Sequence, residues 1–201
     1  QYTVLRIDPD GLVPQNTLDW AVGLDFTLPA ETRFNVQFFQ RQYFSHDADL
    51  IAEDWNAGAN KGIVSTSVVV FAVREGNPLG IDSWDHLVAD GIEIVTPNPA
   101  SSGAARWNAL AAYGQVIEAG GTEAEAETFV NELYANAVSL PNSGRDATQQ
   151  FVSGTGNVFI TYENEAILAR QNGEKFDYIV PETTLLIENP GAVLKDATPK
   201  A

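Results

Sequence analysis

The alternation of apolar and polar residues divides the chain into two parts. Over residues 17–28 apolar side chains occupy every second position, and a rougher alternation resumes over residues 33–43. A period of two is typical of strands with one buried face, and Pro29 begins a short turn between the two runs. The pattern therefore predicts a β-hairpin over about residues 17–43, within a β-rich N-terminal segment of residues 1–46.

From about residue 47 the pattern changes to strands that alternate with helices. Runs rich in β-branched residues predict strands at 65–76, 92–97 and 157–161, with two short ones around Pro181. Helices are expected over residues 83–90, 102–119, 122–137, 143–154 and 163–173. This alternation indicates an α/β domain with a mostly parallel sheet over residues 47–201.

Two of the expected helices begin with a serine followed by a glycine, at Ser102-Gly103 and Ser143-Gly144. The first turn of a helix has N–H groups without an internal partner and carries partial positive charge. Small residues let an anion approach these amides, and the hydroxyl adds a donor. Serine is also a preferred N-cap. The pattern thus leaves two interpretations open, an oxyanion site beyond the carboxyl ends of the strands and ordinary helix capping.

The charge balance restricts the classes of partner. The chain has 27 acidic and 11 basic residues, a formal net charge of -16. This balance argues against nucleic acid, because neutralising phosphates requires clustered lysine and arginine. An anion would have to be held by short-range hydrogen bonds. A pocket made only of donors would favour a fully ionised tetrahedral oxyanion, because it has no acceptor for a proton on the ligand.

No catalytic or metal-binding pattern is found in the sequence. The absence of cysteine excludes thiol catalysis and disulfides. His46 could be drawn as a metal site with Asp47 and Asp49, but no second histidine has a spacing that would join them, and a polar loop is favoured. His86 is expected at the surface of its short helix. We therefore predict no catalytic residue, no metal and no cofactor.

Four segments resemble the periplasmic sulfate- and thiosulfate-binding proteins of ABC importers. In the order of that family, they are VVVFAVREGNPLGIDSWDHLV, TPNPASSGAARWNALAAYG, NSGRDATQQF and TYENEAILA. The resemblance covers about residues 47–193, whereas the first 45 residues do not match. It implies a lobe like those of periplasmic binding proteins; the N-terminal hairpin predicted from the alternation lies outside the resemblance, and the sequence does not say where it docks.

The resemblance also implies which residues contact the ligand. The serine, glycine and alanine that begin the helix at 102 would donate hydrogen bonds to the anion, and the loop at 143–146 would supply further donors. Tyr162, where many members have tryptophan, would offer its backbone amide. The implied ligand-binding residues are Ser102, Gly103, Ala104, Ser143, Gly144, Arg145 and Tyr162.

The prediction from sequence is a solute-binding protein that captures sulfate or a similar tetrahedral oxyanion for an ABC importer. Its partners would be the membrane subunits of the transporter, and its location periplasmic or extracytoplasmic, although the chain shows no signal peptide. The alternative is a structural or assembly subunit. In that case the hairpin would mediate self-association and the α/β part would be a scaffold.

Overall fold

The computed structural model describes residues 54–193 and, for the backbone alone, three earlier strands. The strands are β1 (Thr3–Leu5), β2 (Trp20–Thr27), β3 (Arg33–Gln40), β4 (Ile63–Val73), β5 (Ile94–Val95), β6 (Ala137–Ser139), β7 (Val158–Tyr162), β8 (Asp177–Ile179) and β9 (Thr183–Pro190). The helices are α1 (Gly103–Glu118), α2 (Glu123–Ala135), α3 (Gly144–Val152) and α4 (Glu163–Gln171), with a short 3-10 helix at Asp85–Val88. Among the described residues, no helix is long and apolar enough to cross a membrane.

The main sheet has the strand order β1-β9-β4-β7-β5-β6, and β8 also pairs with β4. Strand β5 is parallel to both β6 and β7, and β1 is parallel to β9. The predicted α/β class is confirmed, and β5, β6 and β7 form the parallel arrangement that the strand–helix alternation indicated. Strand β4 runs antiparallel to its partners β7, β8 and β9.

Strand β4 lies in the middle of the sheet and supplies both faces of the core. Val69, Phe71 and Val73 belong to the apolar cluster on the face covered by α1 and α2. The alternate residues Val70 and Ala72 belong to the cluster on the face covered by α3 and α4. A strand that is buried on both faces has a continuous run of apolar residues in its sequence. Such a run is the pattern from which β4 was predicted.

The start of α2 has the capping box that the sequence predicts. The backbone N–H of Thr122 donates to Glu125 Oε2 at 2.7 Å, and the N–H of Glu125 donates to Thr122 Oγ1 at 3.3 Å. These reciprocal bonds satisfy two N–H groups that the helix leaves without a partner. The bonds to Thr122 also lower the pKa of the Glu125 carboxyl.

The helix predicted at 83–90 is shorter than expected, a single 3-10 turn that Trp84 rather than Ser83 precedes as N-cap. Trp84 is buried, its indole Nε1 donates to Thr183 O at 2.8 Å, and its ring meets Phe71 edge-on at 4.7 Å. Anchoring of the tryptophan in the core fixes this segment as a tight turn. His86 is half exposed, as predicted, with Nδ1 at 3.1 Å from Asp82 Oδ1.

The backbone of the N-terminal hairpin is confirmed. Strands β2 and β3 are antiparallel, with Trp20 opposite Gln40 and Thr27 opposite Arg33. Strand β1, which the sequence pattern did not predict, pairs with β9 in the main sheet. The division into segments 1–46 and 47–201 stays a prediction. The loop with His46, Asp47 and Asp49 lies outside the described residues.

Candidate functional site

Three helices begin at one edge of the main sheet. Helix α1 follows β5, α3 follows β6, and α4 follows β7 directly. Because β7, β5 and β6 are parallel neighbours, their carboxyl ends meet at the same edge. We call the residues at this edge that begin the three helices the mouth. They are Ser102, Gly103, Ala104, Ser143, Gly144, Arg145 and Tyr162.

The N-termini of α1 and α3 lie side by side. A Cβ placed on Gly144 would lie 3.9 Å from the Cβ of Ala104, an ordinary van der Waals distance. Hydrogen bonds join the preceding loops, from Ser101 Oγ to Asn142 O at 3.0 Å and from Asn98 N to Pro141 O at 2.7 Å. The structure therefore brings the two serine–glycine pairs together.

The loop before α1 is folded around Asn98. The carbonyl of Asn98 accepts from the N–H of Ser101 at 3.1 Å and of Ser102 at 2.8 Å. The Asn98 side chain adds a local bond, with Oδ1 accepting from Ala100 N at 2.9 Å. Such asparagine turns give a short loop one fixed shape. The loop delivers Ser102 to the helix N-terminus with an extended backbone, at φ -114° and ψ 126°.

The N-terminus of α1 has polar groups that make no hydrogen bond to the described part of the chain. Ser102 is only 7% exposed, yet its side chain makes no capping hydrogen bond, and the first turn contains no acidic residue. Within the described part of the chain, the N–H groups of Gly103 and Ala104 have no acceptor. No described atom lies within 4 Å of a Cβ placed on Gly103. A hydroxyl and free amides are thus available to a ligand.

The N-terminus of α3 differs because its serine acts as a cap. Ser143 Oγ accepts from Asp146 N at 3.1 Å and donates to Asp146 Oδ2 at 2.8 Å. The hydroxyl is therefore engaged, and the Asp146 carboxylate interacts favourably with the positive end of the helix. In the described structure the N–H groups of Gly144 and Arg145 remain unused, and the Arg145 side chain is exposed.

The N-terminus of α4 is also partly satisfied. Tyr162 is its N-cap and pairs with Val69 of β4, and Ser67 Oγ accepts from the N–H of Asn164 at 3.2 Å. The first turn carries the carboxylates of Glu163 and Glu165. Burial, together with the nearby Glu165, raises the pKa of the Tyr162 hydroxyl well above its ordinary value, so this residue stays neutral.

Three residues that support the mouth were not singled out from sequence: Asn98, Ser101 and Asn108. Asn98 could have been found, because an asparagine before a proline at the end of a strand is a turn signal. Asn108 falls at helical spacing on the same face as Ala105, Ala109 and Ala112, all of them buried. A polar residue on such a face is a signal as well.

A second region of α1 is unsuited to an anion. A shallow surface cavity of about 510 Å³ lies against the last turns of α1 and the outer side of α2. Its lining residues are Asp85, Gln115, Val116, Ala119, Gly121, Glu125, Thr128, Phe129 and Glu132. Three of them are carboxylates and none is basic, so the electrostatic potential there opposes anion binding.

Comparisons with known proteins connect the chain to binding proteins. The family model described as bacterial extracellular solute-binding protein matches residues 43–201. The sulfate-binding protein of Synechococcus elongatus is 44% identical over 154 residues, which are 76% of this chain and 44% of that protein. The sulfate-binding protein of Synechocystis is 38% identical over 221 residues, covering 99% of this chain and 63% of that protein.

A solved structure agrees with these matches. The sulfate-binding protein SubI from Mycobacterium tuberculosis is similar with a TM-score of 0.68 and 45% identity, over 76% of this chain and 53% of that one. The chain spans about half the length of the curated relatives it matches, from 44% to 63% in the two above. The Synechocystis match extends into the N-terminal segment that the sequence motifs left unmatched. The chain belongs to the family of bacterial extracellular solute-binding proteins.

Proposed function

We propose that this protein captures sulfate or a similar tetrahedral oxyanion and presents it to an ABC importer. It acts outside the cytoplasm, its macromolecular partners are the membrane subunits of the importer, and it performs no chemistry on the ligand. Two of the relatives described above are named as sulfate-binding proteins, and a third is a solved sulfate-binding protein. These names support the choice of oxyanion.

The observation that carries the proposal is the free N-terminus of α1. Its first turn combines a shielded, uncommitted hydroxyl on Ser102 with amides that have no described acceptor. Helix N-terminal amides favour negative charge through both their dipoles and their hydrogen bonds. A site of this kind needs no lysine, which suits a chain with a formal net charge of -16.

The residues of the mouth have different roles in this proposal. Ser102 donates through its hydroxyl, and Gly103 and Ala104 donate through their backbone amides. Helix α3 contributes amides at Gly144 and Arg145. Ser143 acts through its cap with Asp146, because its hydroxyl is already engaged there.

Tyr162 contributes its backbone amide from the third side of the mouth, where β7 ends and α4 begins. Its position as N-cap of α4 supports this role, because the residue stands at the positive end of that helix. The amides of three converging helices would then surround one anion, with the donors held by the sheet. Donors that the sheet already holds in place would lower the entropic cost of binding.

Isothermal titration calorimetry of the dialysed protein with sulfate tests the proposal, with phosphate and thiosulfate as comparison ligands. We expect saturable sulfate binding with a stoichiometry near one and weaker binding of hydrogen phosphate, because a site of donors cannot accept its proton. Absence of heat with every oxyanion, from protein shown to be folded by circular dichroism, would overturn the proposal.

The alternative of an assembly subunit is not proposed. The relatives reported above are named as binding proteins, which gives self-association through the hairpin no support. Size-exclusion chromatography with light scattering distinguishes the two functions, since a solute-binding protein is expected to elute as a monomer even at high concentration.

A further inference from the structure

A buried amide ties α1 to two strands that lead to the mouth. Asn108, in the second turn of α1, is 2% exposed. Its Nδ2 donates to Thr96 Oγ1 at 3.2 Å and to the carbonyl of Ile160 at 2.9 Å. Thr96 follows the last residue of β5, and Ile160 lies in β7. One side chain thus fixes the helix against both strands.

The same connection extends to the third strand. The N–H of Thr96 donates to the carbonyl of Ser139, the last residue of β6, at 3.3 Å. Asn108 and Thr96 together therefore link α1 to the ends of β5 and β6 and to the middle of β7. These are the strands whose loops carry the N-termini of α1, α3 and α4.

Asparagine is a costly choice at this position. It is a weaker helix former than alanine, and its Oδ1 is buried without a partner among the described residues. The neighbours on this face are the buried alanines 105, 109 and 112, so alanine at 108 would continue an existing pattern. What asparagine provides here and alanine cannot is the pair of hydrogen bonds from Nδ2 to Thr96 and Ile160, which orient α1 against the strands.

We propose that Asn108 is a positioning residue for the anion site. It sets the height and direction of the first turn of α1 relative to the strand ends, so that Ser102 Oγ and the amides of Gly103 and Ala104 converge on one point. Asn108 itself does not touch the ligand. The inference rests on the proposed function of the mouth.

The test compares Asn108→Ala with Asn131→Ala by calorimetry with sulfate. Asn131 is a matched control because its Oδ1 is also buried without a described partner, but it lies in α2, which leads into the start of β6. We expect Asn108→Ala to weaken sulfate binding about tenfold at unchanged stoichiometry, by analogy with the loss of an outer hydrogen-bond partner at a metal site. Asn131→Ala should leave the sulfate affinity within twofold.

An affinity of Asn108→Ala within twofold of the parent protein would assign the amide a structural role only and overturn the inference. If this variant does not fold, Thr96→Val removes the acceptor at nearly constant shape. It should weaken sulfate binding in the same direction, and unchanged affinity would again overturn the inference.

A parent protein that binds no oxyanion would refute the proposed function. The positioning role of Asn108 can then be tested in the ligand-free protein by NMR. The amide resonances of Gly103 and Ala104 in the ¹H–¹⁵N spectrum should shift in Asn108→Ala and stay in place in Asn131→Ala. Unmoved resonances in Asn108→Ala would refute positioning independently of function.

Discussion

Two serines begin neighbouring helices, and the residue three positions later distinguishes their roles. Ser143 is followed by Asp146, whose carboxylate and amide both bond the serine hydroxyl. Ser102 is followed by the buried Ala105, which has no polar side chain, and Ser102 makes no side-chain cap. A hydroxyl engaged in a cap is a poor donor to a ligand, whereas an uncommitted one is available. The same serine–glycine dipeptide thus provides a helix cap in α3 and a candidate hydrogen-bond donor to the anion in α1.

Replacing Ser102 by alanine should weaken sulfate binding without loss of fold. Loss of a hydrogen bond to a charged group costs about 1.5–3 kcal/mol, which is about ten- to a hundredfold in Kd. Calorimetry of the variant measures this change. Unchanged affinity in folded Ser102→Ala would remove the hydroxyl from the site.

Replacing Ser143 by alanine should lower the stability of the protein but leave its affinity for sulfate unchanged. Loss of an N-cap costs about 1 kcal/mol of stability, and the unused amides of α3 keep their positions in the helix. We expect a lower midpoint in urea denaturation and a sulfate Kd close to that of the parent. A large loss of affinity with unchanged stability would show that Ser143 Oγ leaves Asp146 to bind the anion.

At the scale of elements, the orientation of α3 depends on an arginine that follows the central strand β4. Beyond the end of β4, Arg74 donates from Nη1 to Phe151 O at 2.8 Å, from Nη2 to Thr155 O at 2.8 Å and from Nε to Gly156 O at 3.1 Å. Its guanidinium also lies 4.0 Å from the centroid of the Phe151 ring. A cation at the C-terminus of α3 complements the helix dipole and fixes the turn that leads into β7.

Arg74→Met should therefore destabilise the protein by about 2–3 kcal/mol, because it leaves several carbonyls without their charged donor. Urea denaturation followed by circular dichroism measures the loss. Arg170→Met is the control. Arg170 is half exposed, and its Nη2 lies 3.9 Å from Asp177 Oδ1. A surface ion pair of this kind is expected to contribute little to stability. Equal effects of the two substitutions would contradict this account of α3.

The capping box of α2 gives an acid dependence with a definite sign. Hydrogen bonds from Thr122 lower the pKa of Glu125 from its ordinary value of 4.5. A carboxyl whose pKa is lower in the folded state stabilises the fold above its unfolded pKa, and that contribution is lost as the pH falls through the folded pKa. Glu125→Gln should therefore flatten the fall in melting temperature below about pH 4.5 relative to the parent. An identical acid profile in both proteins would rule out this contribution.

Sequence patterns predicted which segments form strands and helices better than they predicted which strands pair with each other. The β-branched run of β4 and the Thr122–Glu125 spacing carry local signals, and both were predicted correctly. The antiparallel direction of β4 and the pairing of β1 with β9 depend on residues more than a hundred positions apart, and no local pattern encodes them. In the mouth, the serine–glycine pairs were visible in the sequence. The engagement of Ser143 by Asp146 has a local signal in their spacing of three, whereas the bonds of Asn108 to Thr96 and Ile160 required the three-dimensional arrangement.

At the scale of the whole molecule, the net charge of the protein has the same sign as the ligand that we propose for it. A formal net charge of -16 repels a dianion at long range, while helix amides attract it at short range. Salt screens the first interaction more than the second, because the Debye length falls from about 30 Å at 0.01 M to about 8 Å at 0.15 M. The salt dependence of the sulfate affinity therefore distinguishes a site of backbone amides from a site of exposed lysines.

Sulfate affinity should hence stay constant or rise when sodium chloride is increased over this range at fixed pH. Calorimetric titrations at several salt concentrations measure the slope. A steep loss of affinity with salt would indicate instead that exposed basic side chains hold the anion.

The central claim is that the anion binds at the N-terminus of α1, and a crystal grown with selenate tests it most directly. Selenate has the shape and charge of sulfate, and its selenium can be located by anomalous scattering. We predict an anomalous peak at the mouth, with ligand oxygens within hydrogen-bonding distance of Ser102 Oγ and the Gly103 amide. A peak elsewhere, or none in crystals grown at saturating selenate, would contradict the account.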